Sequence, residues 1–292
     1  MSSSDGAAES QVEVVATGLD HPEGPALRDD GSLAFVETRR SQVSVWSRRG
    51  GVGLLADTGG SPNACAVGLD GVYLTQSGGG FGGWQPRVEA PPSIQCIHAD
   101  GSVRIVVSEV AGRTLRAPND LCFADDGYLY FTDPGRDFFA PENGVVFGIA
   151  AGAEPVVIDV GDTFPNGVVA LGKGAIAWVE SYTRRIMHRG ANGDITRVAT
   201  LPAGHVPDGF AVATDGTYVV ASMGSGGLDV VAADGTYLDF LATGQRPLNC
   251  AFVDGGIVVA CDPDPNLEPQ ELGCLLHVAV SLSGAVIYRG KA

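Results

Sequence analysis

The sequence predicts an all-β chain, a six-bladed propeller of four-stranded antiparallel blades, on three observations. Glycine and proline are abundant, 42 and 17 of 292 residues, and are spread along the chain, which asks for many turns and short strands. One pattern recurs six times: proline, a small or polar pair, an apolar strand, a glycine-containing turn and a second apolar strand. The prolines of this pattern, Pro22, Pro62, Pro118, Pro165, Pro207 and Pro247, stand 40 to 56 residues apart, which leaves room for four short strands in each repeat.

The copies follow in order. "HPEGPALRDDGSLAFVE" starts at His21 and "SPNACAVGLDGVYLTQS" at Ser61. "APNDLCFADDGYLYFTD" starts at Ala117, "FPNGVVALGKGAIAWVE" at Phe164, "VPDGFAVATDGTYVVAS" at Val206 and "RPLNCAFVDGGIVVACD" at Arg246. The turns "DDG", "LDG" and "TDG" suit tight hairpins, because Asp and Gly supply the backbone conformations that such turns need. Third and fourth strands are legible between copies, as "QVSVWS" and "VGLLAD" after the first and "LDVVAAD" and "TYLDFLAT" after the fifth. After the sixth copy come "CLLHVAVSL" and "GAVIYRG", while "VEVVATGL" near the start of the chain resembles a fourth strand. The ring is therefore expected to close with strands from both chain ends, residues 12–292 forming one propeller domain behind a disordered tail, 1–11. Two stretches, Gly78–Pro92 and Pro134–Gly144, are insertions of the kind that carry specificity on a rigid scaffold.

A net charge of −16 and a sequence pI near 4.5 repel phosphate backbones and anionic lipid, so neither nucleic acid nor membrane is an expected partner. No run of apolar residues reaches the length of a membrane-spanning helix, and "MSSSDGAAESQ" lacks the layout of a secretory signal. The six cysteines form no CxxC pair and mostly lie in apolar strands, so they read as buried thiols. The expectation is a cytoplasmic monomer or small homo-oligomer.

In a propeller, the innermost strand of each blade lines a central channel. The residues directly after the six prolines should thus form a ring at its mouth: Glu23, Asn63, Asn119, Asn166, Asp208 and Leu248. Five of them carry a side-chain oxygen. Asn and Asp also favour turns for their own backbone reasons, but five oxygens at equivalent positions describe a site for a hard cation. Calcium, which takes 6–8 oxygens in irregular geometry, is the first choice, with Zn, Mn or Mg as substitutes. Asp120, one residue beyond Asn119, is expected to support the ring from behind.

The motifs "HPEGP", "PNDLCFADDGYLYFTDP", "PNG" and "PDGFAVATDG" resemble the senescence-marker-protein/gluconolactonase/luciferin-regenerating-enzyme family over about residues 12–290, and more distantly diisopropyl-fluorophosphatase and the paraoxonases. The resemblance implies a catalytic divalent metal in the channel and hydrolysis of lactones. It makes Glu23, Asn166 and Asp208 metal ligands, and Asn119 a ligand or a holder of substrate. Asn63 falls in the ring without a matching family motif.

The expected reaction is metal-dependent opening of a lactone, a sugar lactone or other small cyclic ester. The metal would polarise the carbonyl. Asp208 would serve as general base, as nucleophile or as a ligand alone, and Asn119 would orient the carbonyl or the attacking water. Residues expected to line the mouth and meet substrate are Asn63, His205, Glu180, Trp84, Phe81 and His21. Alternatives are a phosphotriesterase-like or biosynthetic enzyme on the same metal, and a non-catalytic binding propeller with structural metal. The sequence carries no GxSxG elbow, phosphate-binding GxxxxGK[ST] loop or HExxH pair.

Overall fold

A computed structural model describes residues 12–80, 84–263 and 272–292. Apart from one 3-10 turn at Thr38–Arg40, its regular structure is strand. Six four-stranded antiparallel sheets form the six blades of a propeller. Their innermost strands are Pro22–Leu27, Pro62–Val67, Leu121–Phe123, Pro165–Gly172, Pro207–Val212 and Arg246–Val253. Each packs against its neighbours around the ring, and blade one meets blade six to close it.

Apolar alternation places the core between blades rather than at the axis. Six buried clusters occur among the described residues, one at each blade–blade interface. Between blades two and three, for example, Tyr73 meets Phe123 edge to face with ring centroids 5.0 Å apart. Burial of such faces is the dominant stabilising term.

Closure uses both chain ends, with one difference from the sequence expectation. In blade six the N-terminal strand Val12–Leu19 is outermost, paired with Gly273–Val278. "GAVIYRG" is not a blade strand. It forms a strap across the end of the channel opposite the ring of post-proline residues. Ala285 N donates to Val212 O at 2.9 Å, and Arg289 Nη2 to Leu27 O at 2.8 Å. Leu69 N donates to Gly290 O at 2.8 Å, which ties blade two to the strap. The strap thus touches blades five, one and two, and Gly284 lies against Phe252 of blade six. Blade six had no need of the segment, because the N-terminal strand already fills its outer edge.

Candidate functional site

Proline cannot donate to a ladder, and the inner strands break register just after it. Pairing shifts occur between Glu23 and Ala26, Pro62 and Cys65, Pro165 and Val168, Pro207 and Phe210, and Pro247 and Asn249. Such bulges re-aim side chains, and here they turn the first residues of each strand toward the axis. Hydroxyls at or just past the ends of second strands then fix the main chain of the next blade. Thr75 Oγ1 donates to Asn119 O at 2.5 Å, Ser77 Oγ to Pro118 O at 2.7 Å and Thr132 Oγ1 to Asn166 O at 2.7 Å. Ser181 Oγ donates to Pro207 O at 2.7 Å.

At the centre three buried acids face one another: Glu23, Asp120 and Asp208, each 8 % exposed or less. Burial, together with the charges of Asp208 and Asp120, holds the Glu23 carboxyl well above its ordinary range. Burial raises Asp120 to about 6, against hydrogen bonds from Leu121 N and Val168 N. Burial also raises Asp208, opposed mainly by the Arg246 guanidinium. Two amides complete the cluster. Asn249 Nδ2 donates to Glu23 Oε2 at 3.2 Å and faces Asp120 Oδ2 at 3.5 Å, while its own oxygen accepts Cys250 N. Asn166 Nδ2 donates to Ser181 Oγ at 3.2 Å.

Close packing at the axis makes this possible. A Cβ on Gly209 would lie 1.9 Å from Asn249 Cγ, and one on Gly24 would lie 2.2 Å from Ala64 Cα. The second residue after each proline is therefore small in four blades, at Gly24, Ala64, Gly167 and Gly209, and polar in two, at Asp120 and Asn249.

The ring drawn from sequence is thus partly redrawn. Glu23, Asn166 and Asp208 come together. Asp120 belongs to the acid cluster itself rather than to a shell behind it. Asn249 was missed altogether, since on blade six the polar role passes from buried Leu248 to the next residue. The signal was available: two polar residues at a position that is otherwise Gly or Ala. Asn63 and Asn119 are half-buried nearer the mouth, and the buried Oδ1 of Asn63 has no hydrogen-bond partner.

The outer candidates are distributed differently. His21 Nδ1 lies 2.5 Å from Asp262 Oδ2, and His205 Nδ1 lies 2.7 Å from Asp229 Oδ1, so both rings are held by carboxylates of the scaffold. Glu180 accepts from Thr183 Oγ1 at 2.5 Å within blade four. Glu37 in blade one and Asp133 in blade three, at the ends of the corresponding second strands, instead accept from backbone N–H groups just before their inner strands. Trp84 is half-buried with its carbonyl over Gly80, and Phe81 lies outside the described residues. All six cysteines are free. Burial pushes the Cys65 and Cys250 thiols up, with the charges of Glu23 and Asp120 adding to the effect.

Among the described residues no group of three or more His, Cys, Asp or Glu converges on one ligating point. The set that suits a divalent cation is mixed: carboxylates of Glu23 and Asp208, the Asn166 carbonyl oxygen, whose own amide nitrogen is committed to Ser181, and the orphaned Asn63 Oδ1. These oxygen donors fit a hard cation, and mutually repelling buried carboxylates gain most from one.

Fold and site together define a class: a six-bladed propeller whose channel gathers buried acids and amides at one mouth and is strapped at the other. A sequence model of the SMP-30/gluconolactonase/LRE-like region matches residues 21–258, and the chain belongs to that family. A gluconolactonase of Zymomonas mobilis subsp. mobilis (strain ATCC 31821 / ZM4 / CP4) is 24% identical over 286 residues, covering 84% of this chain and 76% of that protein. A solved gluconolactonase from Xanthomonas campestris superposes with TM-score 0.72 at 24% identity, covering 94% of this chain and 90% of that one. The calcium-binding protein regucalcin from Agrobacterium tumefaciens str. C58 superposes with TM-score 0.75 at 16% identity over 98% of both chains. These last two likenesses show the shared fold.

Proposed function

We propose that this chain is a divalent-metal-dependent lactonase, opening a small cyclic ester at the ring-bearing mouth of the channel. The observation that carries the reading is the burial of Glu23, Asp120 and Asp208 against one another. Isolated buried carboxylates are costly, and such an arrangement is retained for chemistry more often than for stability. The gluconolactonase relative and the calcium-binding neighbour support a lactone substrate and a calcium-like ion respectively.

When bound, a divalent cation supplies Lewis-acid polarisation of the ester carbonyl. Glu23, Asn166 and Asp208 would hold it, with Asn63 and Asn119 supplying further oxygens or orienting substrate. Asn249 braces Glu23 and Asp120 together through its one amide nitrogen. In this reading Asp208 would take the proton of the attacking water and return it to the ring oxygen as the carbon–oxygen bond breaks. Water adds, one ester bond breaks, and a hydroxy acid leaves.

The test is hydrolysis of a panel of sugar, alkyl and aryl lactones, with calcium and after chelation. Calcium-restored turnover that falls by about a thousandfold or more in Asp208→Ala is the expected result. Turnover that survives both chelation and Asp208→Ala would overturn the proposal.

A further inference from the structure

Beside the acid cluster, on the same mouth, lies a cavity of about 250 Å³ between blades four and five. Its walls include Phe138, Ser181, Tyr182, Arg184, His205 and Val206. Phe138 comes from the insertion Pro134–Asn143 of blade three, which joins that blade's second and third strands. Its ring sits 4.8 Å from Phe164 and 5.5 Å from Tyr182, and Tyr182 Oη donates to the Phe138 carbonyl, stapling the insertion to blade four.

The cavity adjoins the site through Ser181. Ser181 lines it while bonding both Asn166 Nδ2 and Pro207 O. Val206 lines it two residues before Asp208. A group attached to an ester held at Asp208 would therefore extend over Ser181 and Val206 toward Phe138.

Most polar side chains of the walls already bond the protein, the Arg184 guanidinium through one of its two terminal nitrogens. Ser181 is used as above, Tyr182 Oη is spent on Phe138, and Arg184 Nη1 donates to Leu201 O at 3.2 Å. His205 is held at Asp229, with its ring 5.3 Å from that of Phe240. A polyhydroxylated substituent would meet the faces of Phe138, Tyr182 and Val206 and mostly engaged donors, leaving several of its hydroxyls unpaired at a cost. An apolar one would lose only its contact with water.

We propose that this cavity receives an apolar substituent of the substrate, so that the preferred esters are lactones bearing an alkyl or aryl group rather than sugar lactones. The proposal rests on the lactonase reading above.

Three lactones separate the outcomes: an unsubstituted five-membered ring, the same ring bearing an n-hexyl chain, and gluconolactone. The hexyl compound should exceed the unsubstituted ring in kcat/KM by tenfold or more, since each buried methylene contributes about three- to fourfold. Phe138→Ala should cut that ratio by about tenfold. Phe138→Trp, which fills the cavity without removing its aromatic wall, should cut it as well. Equal rates on all three, a preference for gluconolactone, or a ratio unmoved by both variants would overturn the proposal while leaving lactonase activity standing. If no lactone is turned over, the lactonase reading fails, and calorimetric binding of n-hexylphenol decides the cavity separately. Binding weakened at least tenfold by Phe138→Trp supports an apolar ligand site, and undetectable or unaffected binding overturns it.

Discussion

Asn249 Nδ2 donates to Glu23 Oε2 at 3.2 Å, joining residues 226 apart in sequence. The same nitrogen faces Asp120 Oδ2 at 3.5 Å, so one amide stands between two buried acids. The pair links blades six and one at the axis, where the ring closes.

Removing that amide should be costly. Asn249→Leu leaves the Glu23 and Asp120 carboxylates without their shared donor, and a loss of about 2–3 kcal/mol is expected. Gly209→Ala should act through the same residue, because its new Cβ would meet Asn249 Cγ at 1.9 Å. Urea midpoints of both variants, measured with chelator, check this. A midpoint unchanged in either would contradict the packing described.

Without bound metal, the protein should lose stability as pH rises. Asp120 is raised by burial to about 6, and Glu23 and Asp208 are also raised, so the folded state holds more protons than the unfolded chain above about pH 4. Their neutral forms suit the folded state below pH 4. The penalty then grows from there up through each raised value, on the order of 2–3 kcal/mol for Asp120 alone. Calcium should offset the penalty, giving a larger Tm increase at pH 7.5 than at pH 5. Thermal unfolding at the two pH values, with calcium and with chelator, measures it.

Neutralising one acid should separate stability from activity. Asp208→Asn removes a charge that repels Glu23, so at pH 8 in chelator the variant should be more stable than the parent by about 1–3 kcal/mol. Its kcat for the proposed lactone hydrolysis should nevertheless fall by about a thousandfold or more. Paired unfolding curves and turnover measurements give both quantities.

Ser181 acts on position rather than on charge. Ser181→Ala removes the hydroxyl that accepts from Asn166 and donates to Pro207 O. The fold should survive, with a loss of about 1 kcal/mol. Calcium affinity should drop by about tenfold, read by calorimetry, because Asn166 is no longer fixed.

The sequence by itself determined the repeat, and with it the six blades, the closure by both chain ends and the ring of post-proline residues containing Glu23, Asn166 and Asp208. These features are written in local pattern: a proline that ends a ladder, an apolar period of two and a glycine turn each act within a few residues of themselves. The tertiary structure decided what lies between blades. It drew Asp120 into the acid cluster, gave blade six's polar position to Asn249 instead of Leu248, and turned His21 and His205 toward scaffold carboxylates. It also laid "GAVIYRG" across the far end of the channel as a strap. Each outcome depends on residues that meet only once the ring closes, and on one-residue bulges that decide which side chain faces the axis. A local pattern names the candidates, and the long-range packing chooses among them.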